Sequence, residues 1–395
     1  MTLSQAPVAN PARIFLIAAE ESGDRLGASL IGQLRSQLNA DVEFFGIGGE
    51  GMAAAGVASL FPIEELSILG LAAIPRRLPL ILRRIREATD AVVTARPDVL
   101  VIIDSPDFTH RVARRVRAHA PSIPIVNYVS PTVWAWRSGR ARAMRHYIDH
   151  VMAVLPFEPA VHQRLGGPPC SYVGHPLLEQ IGTLRPDENE RARRAGKPPV
   201  LLVLPGSRRS EINRHMPVFG ETLKLLHSAG VDFEAVLPTL PHLVETVRAM
   251  SRQWAMQPRI ELGEDARHAA FRIARGALTK SGTVTLELAL AGVPMVTAYK
   301  VAAWEAWIAR RVAYTSTIIL ANLVLGANVV PEFVQEMCRP DVLAAALKDV
   351  LVDGPPRQRQ VEACATLDSI MSTGGRWPSQ RAADIVIETM RKPAR

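Results

Sequence analysis

Residues 14–38 read IFLIAAEESGDRLGASLIGQLRSQL. The six apolar residues Ile14–Ala19 lack polar alternation, the mark of a strand buried on both faces. They run into Glu20-Glu21-Ser22-Gly23-Asp24 and then an amphipathic stretch, Leu26–Leu38. A buried strand followed by a tight turn and a helix is the building unit of a parallel sheet. The unit recurs outward from here. Val42–Gly46, Val99–Ile103, Ile123–Val129 and Val151–Leu155 read as further buried strands, with helical patterns such as His110–His119 between them. A second series follows at Val200–Leu204, Phe233–Leu237, Ile260–Leu262, Ala277–Thr279 and Val293–Ala298. The expectation is an α/β chain of two doubly wound, Rossmann-like domains facing a cleft, with ligands beyond the carboxyl ends of the strands. The charge-rich stretch 182–199 has the composition of a linker between domains 1–181 and 200–365. A helical tail, 366–395, is then free to pack back on the first domain.

Composition narrows the classes. At 395 residues, 48% hydrophobic and 21% charged, the chain has enough apolar surface for two cores, which excludes a disordered chain. Three scattered cysteines, Cys170, Cys338 and Cys364, exclude a disulfide scaffold and suit a reducing compartment. The balance of 46 Lys+Arg over 38 Asp+Glu gives a net charge of +8 and favours an anionic partner. The polar start, Met1–Ala12, has no basic region of a signal peptide. Residues 312–331 carry no charge over a span's length, but Asn322 and Asn328 favour a buried segment over a membrane span.

Several strand-to-helix loops have the residues for chemistry. Glu20-Glu21-Ser22-Gly23-Asp24 offers carboxylates and a helix N-terminus; its plainer reading is an acidic cap. The G-x-G-x-x-G at 46–51 follows the second strand and has no acidic partner about 20 residues on, so it reads as a close-packed turn, not a dinucleotide site. Asp104-Ser105-Pro106-Asp107 puts carboxylates at the end of a central strand, where a general base is useful; the alternative is a paired structural aspartate or a cap. Trp134, Trp136 and Arg137, with Arg140, Arg142 and Arg145, mix aromatics and cations. One such patch argues for a phosphorylated small molecule more than for nucleic acid. His146 and His150 lack the intervening glutamate of a zinc site, so no metal is expected there.

In the second domain, Gly206-Ser207-Arg208-Arg209-Ser210-Glu211 combines glycine, hydroxyl, guanidinium and a helix start, which together suit a diphosphate. Lys280-Ser281-Gly282-Thr283 precedes a helix carrying Glu287, whose carboxylate is able to accept two ribose hydroxyls. Leu78, Ile81 and Leu82, with Arg76, Arg77 and Arg83, form a basic amphipathic segment suited to a membrane surface or an acyl chain, or equally to a core with a basic outer side. Trp304, Trp307 and Arg311 repeat that theme.

Taken in order, EESGD (20–24), GIGGEGM (46–52), DSPDF (104–108), YVSPTVWAWR (128–137), LPFE (155–158), VGHP (173–176), LPGSRRSEI (204–212), SGTVTLE (281–287) and ANLVLGANVVPEFVQE (321–336) resemble the lipid-A-disaccharide synthases. The resemblance runs from about residue 13 to 350. It implies a family-19 glycosyltransferase of GT-B architecture with no metal or other cofactor. The implied reaction is transfer of 2,3-diacylglucosamine from UDP to 2,3-diacylglucosamine 1-phosphate (lipid X), giving the β-1′,6-linked disaccharide and UDP. It further implies a peripheral enzyme on the cytoplasmic face of the inner membrane, with no nucleic-acid partner; a homodimer is compatible with it.

Carried over by position, Asp104 matches the candidate base for the acceptor 6-hydroxyl. Glu20 matches an acidic residue needed for activity, in acceptor placement or as an alternative base. Ser207, Arg208, Ser281, Gly282 and Thr283 would line UDP, with Glu287 on its ribose and Asn322 in the donor site. The acceptor and membrane side would take Ser22, Asp24, Arg76, Arg77, Leu78, Ile81, Leu82, Arg83, Trp134 and Arg137. The chain departs from the family at Ala321, where proline is usual, and at Leu325, Ala327 and Asn328, where Ala, Arg and Glu are common. The rivals are another UDP-sugar enzyme of the same architecture, such as a 2-epimerase, and a non-catalytic nucleotide-sugar or lipid-binding protein.

Overall fold

The computed structural model describes residues 11–38, 42–66, 74–312 and 317–391. They belong to two compact units: the chain up to Pro176 together with the part from Thr373, and Leu177–Ser372.

The first unit is built on six parallel strands, β1 (Ala12–Ala18), β2 (Val42–Ile47), β3 (Val99–Ile103), β4 (Ile125–Tyr128), β5 (His150–Ala153) and β6 (Cys170–Tyr172). Their order is β2-β1-β3-β4-β5-β6. All five residues of β3 are fully buried, because helices cover both faces of a central parallel strand. Phe15, Ile17, Leu100, Ile102 and Ile125 pack with Ile85, Ala88 and Val92 of the helix Ile74–Ala95 and with Val112 and Val116 of the helix Pro106–His119.

The second unit repeats the plan with β7 (Val200–Leu204), β8 (Glu234–Thr239), β9 (Arg259–Leu262), β10 (Gly276–Lys280), β11 (Met295–Tyr299) and β12 (Glu332–Val334). The order β12-β11-β10-β7-β8-β9 is the Rossmann order read from its far edge. In each sheet the chain reverses its direction of travel once, between β1 and β3 and between β7 and β10. Such a reversal leaves a crevice beyond the strand ends, where ligands bind.

Three expectations need correction. The edge strands β6 and β12 were not expected: each is three residues long and half-exposed, too short for a continuous apolar run. Residues 182–199 are not a free linker but part of the second unit. Asp187 and Glu190 form a reciprocal cap on the helix Glu188–Ala195. Glu190 bonds Arg272 at 2.7 Å, and the Arg194 guanidinium donates to the carbonyls of Phe271, Arg272, Ala291 and Gly292. The charges that suggested a solvated tether therefore staple the segment down. The tail also begins later than expected. Residues 366–370 finish the helix Pro355–Ile370 of the second unit, and only the chain from Thr373 joins the first. There the helix Pro378–Arg391 packs on Glu21–Leu38, with Gln37 donating to the carbonyl of Gln380.

The uncharged run 312–331 is broken up. Residues 313–316 lie outside the described residues, Thr317 and Ile318 both donate to the Glu332 carboxylate, and a short helix, Leu320–Leu325, follows. Among the described residues no helix is long and apolar enough to cross a membrane.

Candidate active site

At the first reversal, the ends of β1 and β3 bring Glu20 and Asp104 together through one residue that the motif reading passed over, Ser105. Its amide donates to Asp104 Oδ1 at 2.7 Å and its hydroxyl to Glu20 Oε1 at 2.9 Å. Asp104 and Ser105 hold φ of +51° and +43°, and Val129, after β4, holds +71°. Left-handed backbone costs a non-glycine residue about 1–3 kcal/mol, most for a β-branched one, and such strain collects where side chains must be aimed. Here it falls at the strand end that carries Asp104, and the Thr109 hydroxyl fixes the Asp104 carbonyl at 2.7 Å. Burial raises the Asp104 carboxyl above its ordinary value; the Ser105 amide opposes this and the Glu20 charge adds to it. A carboxylate so placed is a stronger proton acceptor than one in water.

The neighbouring loops are held from behind. Asp24, expected on the acceptor side, is buried and accepts the amides of Gly49, Gly51 and Met52 at 2.7, 2.7 and 2.9 Å. Its role is to hold the 46–51 glycine turn, where a Cβ on Gly51 would lie 2.9 Å from the Asp24 carboxylate. Trp134 also faces inward. Its indole donates to the buried Glu158 at 3.2 Å, and its ring stands edge-on to Phe157. Burial pushes the Glu158 carboxyl up to about 8, against the Leu155 amide and the Trp134 indole, which lower it. Arg137 is exposed, stacks on Trp136 and lies 3.7 Å from Asp107, which Arg140 binds at 2.9 Å. Ser22 is exposed on the first helical turn.

Of the amphipathic segment, Leu78 is 42% exposed, Ile81 and Leu82 pack partly on the core, and Arg83 faces solvent. The side chains of Arg76 and Arg77 lie outside the described residues.

At the second reversal, β7 leads into Gly206-Ser207-Arg208 and β10 ends at Lys280 before Ser281-Gly282-Thr283. Ser207 and Arg208 are exposed, the Arg208 side chain at 79%. Their amides, however, turn inward to Glu211 Oε2, at 3.0 and 3.3 Å, in the helix Arg209–Ser228. Gly206, at φ +130°, leaves room for this, since a Cβ there would lie 2.5 Å from the same oxygen. Glu211 Oε1 takes the Lys280 ammonium at 3.0 Å. Burial alone would raise the Glu211 carboxyl, but Lys280, the Ser207 amide and Arg208 hold it below the ordinary carboxylate range. Sequence reasoning misses Glu211 and Lys280 as site residues; a carboxylate three residues into a helix beside a glycine loop is the available signal.

The other donor-site expectations divide. Gly282 and Thr283 lie at the loop, Thr283 exposed. Ser281 is buried and its hydroxyl donates to the Ile318 carbonyl at 3.0 Å. Glu287 is buried against Arg267 at 3.2 Å. Asn322 is buried: its amide donates to the Val330 carbonyl and accepts from the Val329 and Val330 amides, clamping the turn into β12.

Comparison with known proteins follows the same two units. The family model described as lipid-A-disaccharide synthetase matches residues 14–385. The chain belongs to the lipid-A-disaccharide synthetase family. It is 66% identical over 378 residues to the lipid-A-disaccharide synthase of Nitrobacter hamburgensis, covering 96% of each chain. It is 43% identical to that of Rhodospirillum centenum over 384 residues, covering 97% of this chain and 96% of the other. Among solved structures, MurG of Acinetobacter baumannii superposes with a TM-score of 0.57 at 16% identity, over 96% of this chain and 100% of that one. The UDP-GlcNAc 2-epimerase of Neisseria meningitidis gives 0.62 at 11%, over 96% and 99%. These likenesses establish the two-unit fold shared by glycosyltransferases and epimerases. Membership of the lipid-A-disaccharide synthetase family then separates this chain from the epimerases.

Proposed function

We propose that Asp104 is the general base of an inverting glycosyl transfer and that Arg208 is the principal cation for its leaving group. The reaction is that of the family: a UDP-linked, acylated sugar is joined to a lipid acceptor to make the lipid A disaccharide. In the finer reading, UDP-2,3-diacylglucosamine is the donor and lipid X the acceptor. Asp104 takes the proton of the acceptor 6-hydroxyl, and the freed oxygen bonds to the anomeric carbon. The bond from that carbon to the diphosphate breaks, with UDP carrying the electron pair away. Charge developing on UDP is met by Arg208 and by the start of the helix Arg209–Ser228, a preorganised positive field.

The observation that carries the reading is the pair Asp104 and Glu20, joined through Ser105 at a strained strand end. Glu20, bound to the hydroxyl of the residue whose amide binds Asp104, is suited to orienting the acceptor and to raising the basicity of Asp104. Because protein cations neutralise the leaving group in this reading, no divalent metal takes part. The exposed Leu78 supports a peripheral contact with the inner face of the inner membrane, as do Trp304 and Trp307, 51% and 59% exposed. Exposed tryptophans beside cations, here with Arg311 stacked on Trp307, suit a headgroup boundary.

The test is turnover in detergent micelles containing EDTA, with UDP-2,3-diacylglucosamine and lipid X. Disaccharide formed in step with UDP is the expected result. Absence of product in EDTA that magnesium restores would overturn the metal-free reading, and absence of product under both conditions would overturn the substrate assignment.

A further inference from the structure

We infer that Lys280 is a second cation for the donor's diphosphate, stored against Glu211 between the two glycine loops of the second unit. The inference rests on the reading of those loops as the diphosphate site, and it adds a contact residue and the group that positions it.

The placement is specific. Lys280 Nζ lies 3.0 Å from Glu211 Oε1, and a Cβ built on Gly282 would lie 3.1 Å from the same nitrogen. On the other side, the Glu211 carboxylate fills the space that a Cβ on Gly206 would need. The ion pair therefore sits against the glycines of both loops, at the reversal between β7 and β10. Tyr299 of β11 faces the ammonium with its ring centroid 6.0 Å away.

The charges there do not balance. Lys280 and Arg208 both attend the one carboxylate, Arg208 at 3.6 Å, which leaves an excess of one positive charge before any ligand arrives. The two side chains of the pair are only 17% and 13% exposed. The two side chains hold each other between the loops, and the Glu211 carboxylate is the ammonium's resting acceptor. A diphosphate carries more charge than one carboxylate and competes for the same ammonium. When it binds, Lys280 exchanges one acceptor for another, while Glu211 keeps the Ser207 and Arg208 amides and so holds the loop. Lys280 is thus the contact residue and Glu211 the positioning residue.

Uridine shares base and ribose with UDP but lacks the phosphates, so titrating both into the full chain separates charge recognition from loss of structure. Lys280→Met should weaken UDP about tenfold, the usual scale of a charge-assisted hydrogen bond, and leave uridine unchanged. Lys280→Gln should repeat that loss in a polar side chain, and Lys280→Arg should recover most of it. Glu211→Gln should tighten UDP severalfold, because its amide still accepts the loop N–H groups but no longer competes for the ammonium. Native UDP affinity in both Lys280→Met and Lys280→Gln would overturn the inference. So would equal weakening of UDP and uridine in the Lys280 and Glu211 variants, the signature of a purely structural clasp. If the native chain binds uridine but gains nothing from the phosphates of UDP, the diphosphate reading itself falls, and this inference with it.

Discussion

The two units solve one geometric problem with opposite charge. Each has a six-stranded parallel sheet that reverses its strand order once, and each gathers its polar side chains beyond the strands flanking that reversal. In the first unit these are two carboxylates, Glu20 and Asp104, tied through Ser105. In the second they are two cations, Arg208 and Lys280, tied through Glu211. A tie residue at each reversal fixes the loops, and the sign of the charge around it sets the chemistry. Burial, with the neighbouring Glu20 charge, raises Asp104 and suits it to take a proton; excess positive charge suits the other crevice to receive an anion. Fold therefore provides the position and a few side chains decide the role.

That contrast is open to attack from either side. The largest effect should come from Asp104→Asn, which keeps the shape but cannot take a proton; kcat should fall about a thousandfold in the micelle assay. Arg208→Ala should act on the other crevice, weakening UDP about tenfold by calorimetry. Its uridine affinity should stay native, and a parallel loss there would mean that the loop, not the charge, had been damaged. The smallest effect should be a displacement of the pH profile. Asp104 must be ionised to act, so kcat/KM falls as the pH drops through its raised value. Glu20→Gln removes the neighbouring charge that helps raise it, and the acidic limb should move slightly to lower pH. A limb that stays in place, or moves up, would separate Glu20 from the electrostatics of the base.

The central strands were legible because a strand buried on both faces has to be apolar, as β3, β7 and the Ile14–Ala18 part of β1 are. The edge strands β6 and β12 were not, since three half-exposed residues leave no such run. The charged stretch 182–199 misled for a related reason. Composition records that Arg194 and Glu190 are charged, but not that carbonyls and Arg272 of the same unit are waiting for them. Motifs brought out Asp104, Glu20 and Arg208, which stand at the strand ends beside the two reversals. A motif does not show what its side chains hold: Asp24 and Asn322 stand in the same motifs, and each makes three hydrogen bonds to backbone. Ser105, Glu211 and Lys280 act by pairing across distant loops, and only the folded chain brings those partners together.

The division of labour between the units is tested most directly by titrating UDP into Asp104→Asn. Native affinity for UDP in a chain that has lost turnover is the predicted result, because the carboxylates of the first unit play no part in holding the diphosphate. A loss of UDP affinity in that variant, matching that of Arg208→Ala, would contradict the account.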